Sequence, residues 1–309
     1  MGVINPATRK IIGSAWIFML GVIPAFSQDL EPRRWSHLPL GSSFGGAGYA
    51  YSEGDISFNP VLRIENGTFD LHSVAFKYIH AFELLGNSAR IDLAQAYHSG
   101  TWSGVIDGLP ASVSRDGWSD TVLRFAVNLY GAPPLSGQEF LEYRKRTDSE
   151  TIVGIGLVIQ LPTGEYFDDK LINLGSNRYT LTPQFGVVHN RGKWSTELSA
   201  SANFYTENDE FFGGRELAED GYFIGQGHLI YSFRPGLWLG ASAGFGYGGE
   251  STIDGVSADD RKFNLGWGLS LGIPVNRTFG IKLGYISTRT REDTGSDTDT
   301  LTVACSLQW

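Results

Sequence analysis

Cysteine is almost absent from this chain: Cys305 is the single one in 309 residues. An internal disulfide is therefore excluded, and backbone pairing and packing must hold the protein together. Clustered basic charge is also missing. Lys and Arg number 24 against 33 Asp and Glu, a formal net charge of -9, which argues against nucleic acid as a partner. Beyond Ile23 no apolar run reaches the roughly 20 residues that a membrane-spanning helix needs. Catalytic and cofactor motifs are lacking too. The six histidines stand in no recognisable nucleophile–base arrangement, and GLPASVSRDG lacks the G-x-S-x-G order of a nucleophile elbow. GFGYGGE has no helix after it to hold a phosphate, and no acidic stretch has calcium-loop spacing. The expectation is a protein with no enzymatic activity, no cofactor and no metal. An outer-membrane lipid hydrolase remains the enzyme alternative.

At the N-terminus, Arg9 and Lys10 precede an apolar stretch from Ile11 to Ile23, and Ala25-Phe26-Ser27 supplies small residues before a cut. This pattern predicts a secretory signal peptide over residues 1–27 and a mature chain of residues 28–309. A membrane anchor is the alternative reading of the same stretch.

Glycine (40 residues) and aromatics (13%) are plentiful, and both alternate with apolar residues at a period of two. Phe263, Leu265, Trp267, Leu269, Leu271 and Ile273 oppose Asn264, Gly266, Gly268, Ser270 and Gly272. Twelve stretches qualify: Gly46–Tyr51, His72–Leu84, Ala89–Gly100, Ser119–Tyr130, Thr151–Leu161, Arg178–His189, Lys193–Thr206, Tyr222–Phe233, Leu237–Gly248, Lys262–Ile273, Thr278–Thr290 and Asp299–Trp309. Most run about 11 to 13 residues, longer than the usual strand of about 5 to 6 and matched to a tilted transmembrane strand.

Connections sort by length. Leu85–Ser88, Asn190–Gly192, Arg234–Gly236 and Pro274–Arg277 are tight turns. Ser52–Leu71, Thr101–Trp118, Pro162–Asn177, Glu207–Gly221, Gly249–Arg261 and Arg291–Thr298 are long, and the two classes alternate. Short inner turns and long outer loops are the pattern of an outer-membrane barrel. Gly131–Glu150 breaks the rule, and its piece Gln138–Arg146 reads as a short amphipathic helix under the barrel. The predicted fold is all-β: one antiparallel up-and-down transmembrane barrel of about 12 strands, located in the outer membrane of a Gram-negative bacterium.

Lipid can satisfy no backbone group, so the first and last strands must pair and the apolar face must turn outward. The small and polar face then lines the interior. Lys77, Arg90, Asp92, Arg124, Arg178, Glu197, Asn203, His228 and Lys282 are the candidate lumen-lining residues, either along a wet passage or as mutual braces in a plugged interior. Asn173 and Asn177 are outer-loop candidates, with a structural clamp as the favoured role. The acidic outer loops read as solvated charge. Cys305 falls on the apolar face as a small hydrophobe.

The segment LPTGEYFDDKLINLGSNRYTLTPQFGV resembles the PTG-x-Y…KL-x-NLG-x-NR signature of the phenol-degradation meta-pathway outer-membrane transporter family. NLYGAPPLSGQEFLEYRKRT, FYTENDEFFGG, GQGHLIYSFRPGLWL, GYGGESTIDGV and IKLGYISTRTREDTGSD extend the likeness over nearly all of residues 28–309, in order. The resemblance implies a porin-like barrel without catalytic residues that passes small, hydrophobic or aromatic, solutes. It also implies outer-membrane lipids as surroundings. Likeness to outer-membrane barrels as a class marks TLTVACSLQW, with its aromatic Trp309, as the segment read by the barrel-insertion machinery. A non-conducting structural or adhesion barrel, working through its acidic loops, is the alternative function.

Overall fold

The structure is a computed structural model and describes residues 30–57, 64–106 and 108–309. The signal-peptide expectation for residues 1–27 lies outside the described residues. The elements run β1 (Ser43–Ser57), β2 (Ile64–Leu84), β3 (Asn87–Ile106), β4 (Leu109–Trp118), β5 (Thr121–Tyr130), α1 (Gly137–Arg146), β6 (Ser149–Leu161), β7 (Thr180–Arg191), β8 (Trp194–Tyr205), β9 (Asn208–Phe211), β10 (Arg215–Glu219), β11 (Tyr222–Arg234), β12 (Leu237–Gly248), β13 (Ser251–Ile253), β14 (Val256–Ser257), β15 (Lys262–Pro274), β16 (Phe279–Thr290) and β17 (Gly295–Gln308).

Thirteen of these strands form one antiparallel sheet that closes on itself. β4 and β5 occupy a single position in the wall, because β3 pairs first with β4 (Tyr97↔Trp118) and then with β5 (Ala94↔Val122). Twelve wall positions result, as the alternation predicted. The seam is β1 against β17, paired from Phe44↔Gln308 to Ser57↔Gly295. Two backbone bonds between Ser43 and Trp309, of 2.9 and 3.0 Å, complete its inner end. The Trp309 indole lies over Gly45, where a Cβ would come within 3.0 Å of the ring.

Burial is inverted relative to a water-soluble protein. Leu265, Trp267, Leu269, Leu301 and Val303 are exposed on the outer surface, whereas Arg90, Asp92, Arg124, Glu197 and Lys282 are buried inside and Lys77 is half-buried. A charge on the outer face at mid-bilayer would cost about 2 to 4 kcal/mol, so the apolar face is the one that can meet acyl chains. Aromatic side chains sit at both ends of that face. Trp194 and Tyr231 pack edge to face at the inner end, and Tyr97 and Trp118 do so at the outer end, where amphipathic rings suit the headgroup level.

Several stretches expected as outer loops are strand. β1, β2 and β3 continue past the bilayer, and Thr101–Trp118, expected as a loop, is the top of β3 hydrogen-bonded to β4. The segments expected as loops at Glu207–Gly221 and Gly249–Arg261 contain β9, β10, β13 and β14, which form a separate four-stranded sheet. The reason is physical. Above the membrane no face meets lipid, so the strict apolar alternation that marks the wall is no longer imposed there. On one face of β3 and β4 hydroxyls pair across the strands, Thr101 with Ser114 (3.1 Å) and Ser103 with Ser112 (3.2 Å), while on the other Trp102 lies opposite Val113.

Helix α1 begins one residue before its expected start. Glu139 in its first turn and Arg144, Lys145 and Arg146 in its last complement the helix dipole. Phe140 is buried, and the Tyr143 hydroxyl donates to Glu150 at 2.8 Å. Burial and that carboxylate push the Tyr143 hydroxyl up to about 12.

Gly86 and Gly131 both adopt φ of +80°, but only at Gly131 would a Cβ collide with backbone, at the Thr151 carbonyl. In denaturant titrations of the detergent-folded protein, Gly86→Ala is expected to cost about 1 to 2 kcal/mol and Gly131→Ala clearly more. Equal costs would refute the collision.

Candidate functional site in the barrel lumen

The lumen is occupied by the chain itself. Residues Leu30–Ser42 precede β1 and enter the inner half of the barrel, where Leu30, Glu31, Trp35, His37 and Leu38 are buried. Within reach of this plug the interior charges pair with it and with one another. Glu31 lies 3.3 Å from Lys77 Nζ and 3.6 Å from Lys282 Nζ. Arg90 grips both oxygens of Asp92 and also donates to the Arg34 carbonyl at 3.1 Å. Glu197 accepts the backbone N–H of Arg33 at 2.7 Å, and the Arg33 guanidinium reaches Ser232 at 2.8 Å. His37 holds the inner end, 2.7 Å from the Pro133 carbonyl and edge-on to Phe140 of α1. The gap beside Arg34, Trp35, Ser88 and Asn128 has room for about one water.

The plug is also held by stacking. The Arg124 guanidinium lies 4.7 Å from the Trp35 ring centre, and Arg33 lies 4.9 Å from that of Trp238. Trp35 packs with Ala126, Ile152 and Val188, buried on the inner face of the wall, and with Ala132 in the connection after β5.

Of the remaining candidates, His228 sits directly opposite Glu197 and the others lie further out or in the loops. His228 faces inward and bonds Ser242 at 2.8 Å. Asn203 accepts from Thr182 at 2.9 Å and donates to Tyr205 at 3.3 Å. Arg178 precedes β7 instead of starting it. It pairs with Glu219 of β10 and stacks 4.4 Å over Tyr205, so it ties the outer sheet to the wall. Asn173 receives the Phe167 N–H and donates to the Phe167 and Lys170 carbonyls, closing a loop turn. Asn177, at φ of +51°, donates to Asn208 at 3.0 Å.

Sequence reasoning missed Glu31, Arg33 and Trp35, because the plug has no periodicity. It also missed Asp120, a buried clasp at the break between β4 and β5. Asp120 accepts from the Gly164 and Ser176 N–H groups, each at 2.9 Å, and so pins the 162–179 loop. Among the described residues no cluster of three His, Cys, Asp or Glu side chains could hold a metal.

A closed twelve-position barrel with an apolar belt outside and charged groups inside defines an outer-membrane β-barrel protein of bacteria, here one carrying its own internal plug. The chain belongs to the family described as "Putative MetA-pathway of phenol degradation", whose model matches residues 43–299. An outer membrane channel from Pseudomonas putida F1 has a similar structure, with a TM-score of 0.75 and 20% identity over 90% of this chain and 99% of that one. The transport unit of the autotransporter AIDA-I from Escherichia coli is more distant, at TM-score 0.48 and 9% identity over 91% and 93% of the two chains. No curated protein matches the sequence.

Removing Glu31 would leave Lys77 and Lys282 buried beside one carboxylate fewer, a change that typically costs about 3 to 5 kcal/mol. Glu31→Gln is therefore expected to raise amide hydrogen exchange at Arg33–Trp35 by about a hundredfold or more and leave β17 protected. Unchanged exchange in the plug would show that Glu31 does not anchor it.

Proposed function

We propose that this barrel is a passive outer-membrane channel for small solutes, hydrophobic or aromatic in character, whose plug sets the resting state. The observation that carries the reading is the plug itself. A barrel serving only as a membrane anchor could fill its interior with wall side chains. Here the filler is a non-strand segment, held by ion pairs and stacked rings that can separate without breaking any wall hydrogen bond. The family's association with phenol degradation and the outer membrane channel of P. putida with the same fold support the reading.

In this proposal Lys77, Arg90, Asp92, Arg124, Glu197 and Lys282 line the path once the plug shifts. His228, directly opposite Glu197, lines the same stretch, Asn203 lies further out, and Arg178 stands at the outer end. Passage follows the solute gradient and uses no cofactor. For assembly, β17 with Trp309 is proposed as the segment presented to the insertion machinery.

Single-channel recording in planar bilayers checks the central claim. The full chain is expected to show small or brief conductances, and deletion of residues 30–38 to enlarge them several-fold. A barrel that inserts yet, with and without those residues, neither conducts nor passes an aromatic solute into vesicles would exclude a channel.

A further inference from the structure

Trp35 occupies a slot whose construction exceeds what holding an indole requires. Its floor is the inward backbone of β6 and β7, where Gly154 and Gly186 are directly paired across the strands and Gly156 follows. A Cβ at Gly154 would come within 2.6 Å of the ring, and one at Gly186 would overlap it. Glycine weakens a strand interior, and it is found where something must approach the backbone closely. Elsewhere on the same inward faces the wall carries side chains: Ile152 and Val188 below, Gln184 beside. The roof is Arg124, so a planar ring is sandwiched between peptide planes and a guanidinium.

The indole fills the slot without answering its polar groups. Trp35 Nε1 has no hydrogen-bond partner, and neither has Arg124 Nη1 or Nη2. Arg124 is buried, its Nε is spent on Gln184 at 2.9 Å, and its nearest carboxylate oxygen, on Asp92, is 3.7 Å away. A guanidinium edge whose two terminal nitrogens make no hydrogen bond, and whose one ion pair is the long contact to Asp92, is the complement of a carboxylate. Leaving those donors without hydrogen bonds in a buried site is unfavourable, and a ligand with a ring for the slot and an anionic oxygen pair for Arg124 would relieve that.

We propose that the space between the Gly154–Gly186 floor and Arg124 is a binding site for planar aromatic carboxylates, and that Trp35 is its internal stand-in. Solute capture and plug release are then a single exchange: the ring that enters takes the place the indole leaves. The proposal deepens the channel reading by naming a solute class, and its meaning for transport rests on that reading.

Binding of 2-naphthoate to the full chain in detergent, measured by calorimetry, tests it against the neutral analogue 2-naphthalenemethanol. Trp35→Ala empties the slot and is expected to bind 2-naphthoate at least about tenfold more tightly than the unaltered chain. Adding Arg124→Gln to Trp35→Ala should remove the preference for the acid over the alcohol. Adding Gly186→Val should return affinity to that of the unaltered chain, and Gly154→Ala serves the same purpose if the valine variant does not fold. No gain from Trp35→Ala, or a gain that survives filling the floor, overturns the site. Ion conductance of Trp35→Ala without slot-dependent binding would sink the site and leave the channel standing. Slot-dependent binding in a barrel that never conducts, nor passes either probe into vesicles, would sink the channel and leave the site.

Discussion

The pairing of β1 with β17 is the constraint from which the rest of the molecule follows. A sheet in lipid cannot leave an edge, because each unpaired N–H or C=O there costs several kcal/mol. Once Ser43–Ser57 lies along Gly295–Gln308, each wall strand has one face toward acyl chains and one toward a narrow interior. The outer face is settled by solvent alone. The inner face is not, because it is cut off from lipid and also too confined for bulk water. The structure resolves this with charged side chains that must then find one another.

How they do so explains the plug. The wall cations Lys77, Arg90 and Arg124 all converge on the one wall carboxylate Asp92. Glu31 adds negative charge between Lys77 and Lys282, where the wall supplies too little. Arg33 in turn brings a backbone donor to Glu197. The segment is thus an electrostatic complement to the wall as well as a steric filler. Its anchors are spread over β2, β8, β11 and β16, so no single wall strand holds it.

The wall was legible in the sequence because lipid imposes a strict period of two. Leu237–Gly248 begins and ends where β12 does, and most other strands differ from the observed bounds by only a few residues. Where lipid no longer acts, the strict alternation weakens: the tops of β2 and β3, β4 and the small outer sheet read as loop. The plug was illegible in itself, for Glu31, Arg33 and Trp35 stand in a stretch without repeat. Yet the wall carried a trace of it. Ile152, Val188, Ile230 and Trp238 are large apolar residues on the inward face, all near the inner ends of their strands. Apolar side chains do not belong in a wet lumen, and their clustering at one end marks where something packs.

The same asymmetry separates the two ends in function. At the outer end the contacts are between loops and wall: Asp120 holds the 162–179 loop, and Arg178 and Lys262 meet on Glu219. These bonds join segments that are all tethered at both ends by wall strands, so each can move only a short way. The plug is tethered to the barrel wall through Ser43, and its path back to the periplasm runs past His37 and α1. Where β-strand walls are rigid and outer loops are clasped, the segment with the fewest backbone bonds is the one whose displacement disturbs least. Any opening of this barrel is therefore most economically an event at the inner half, governed by ion pairs and stacked rings that have alternative partners in water, while the hydrogen-bonded cylinder around them stays closed.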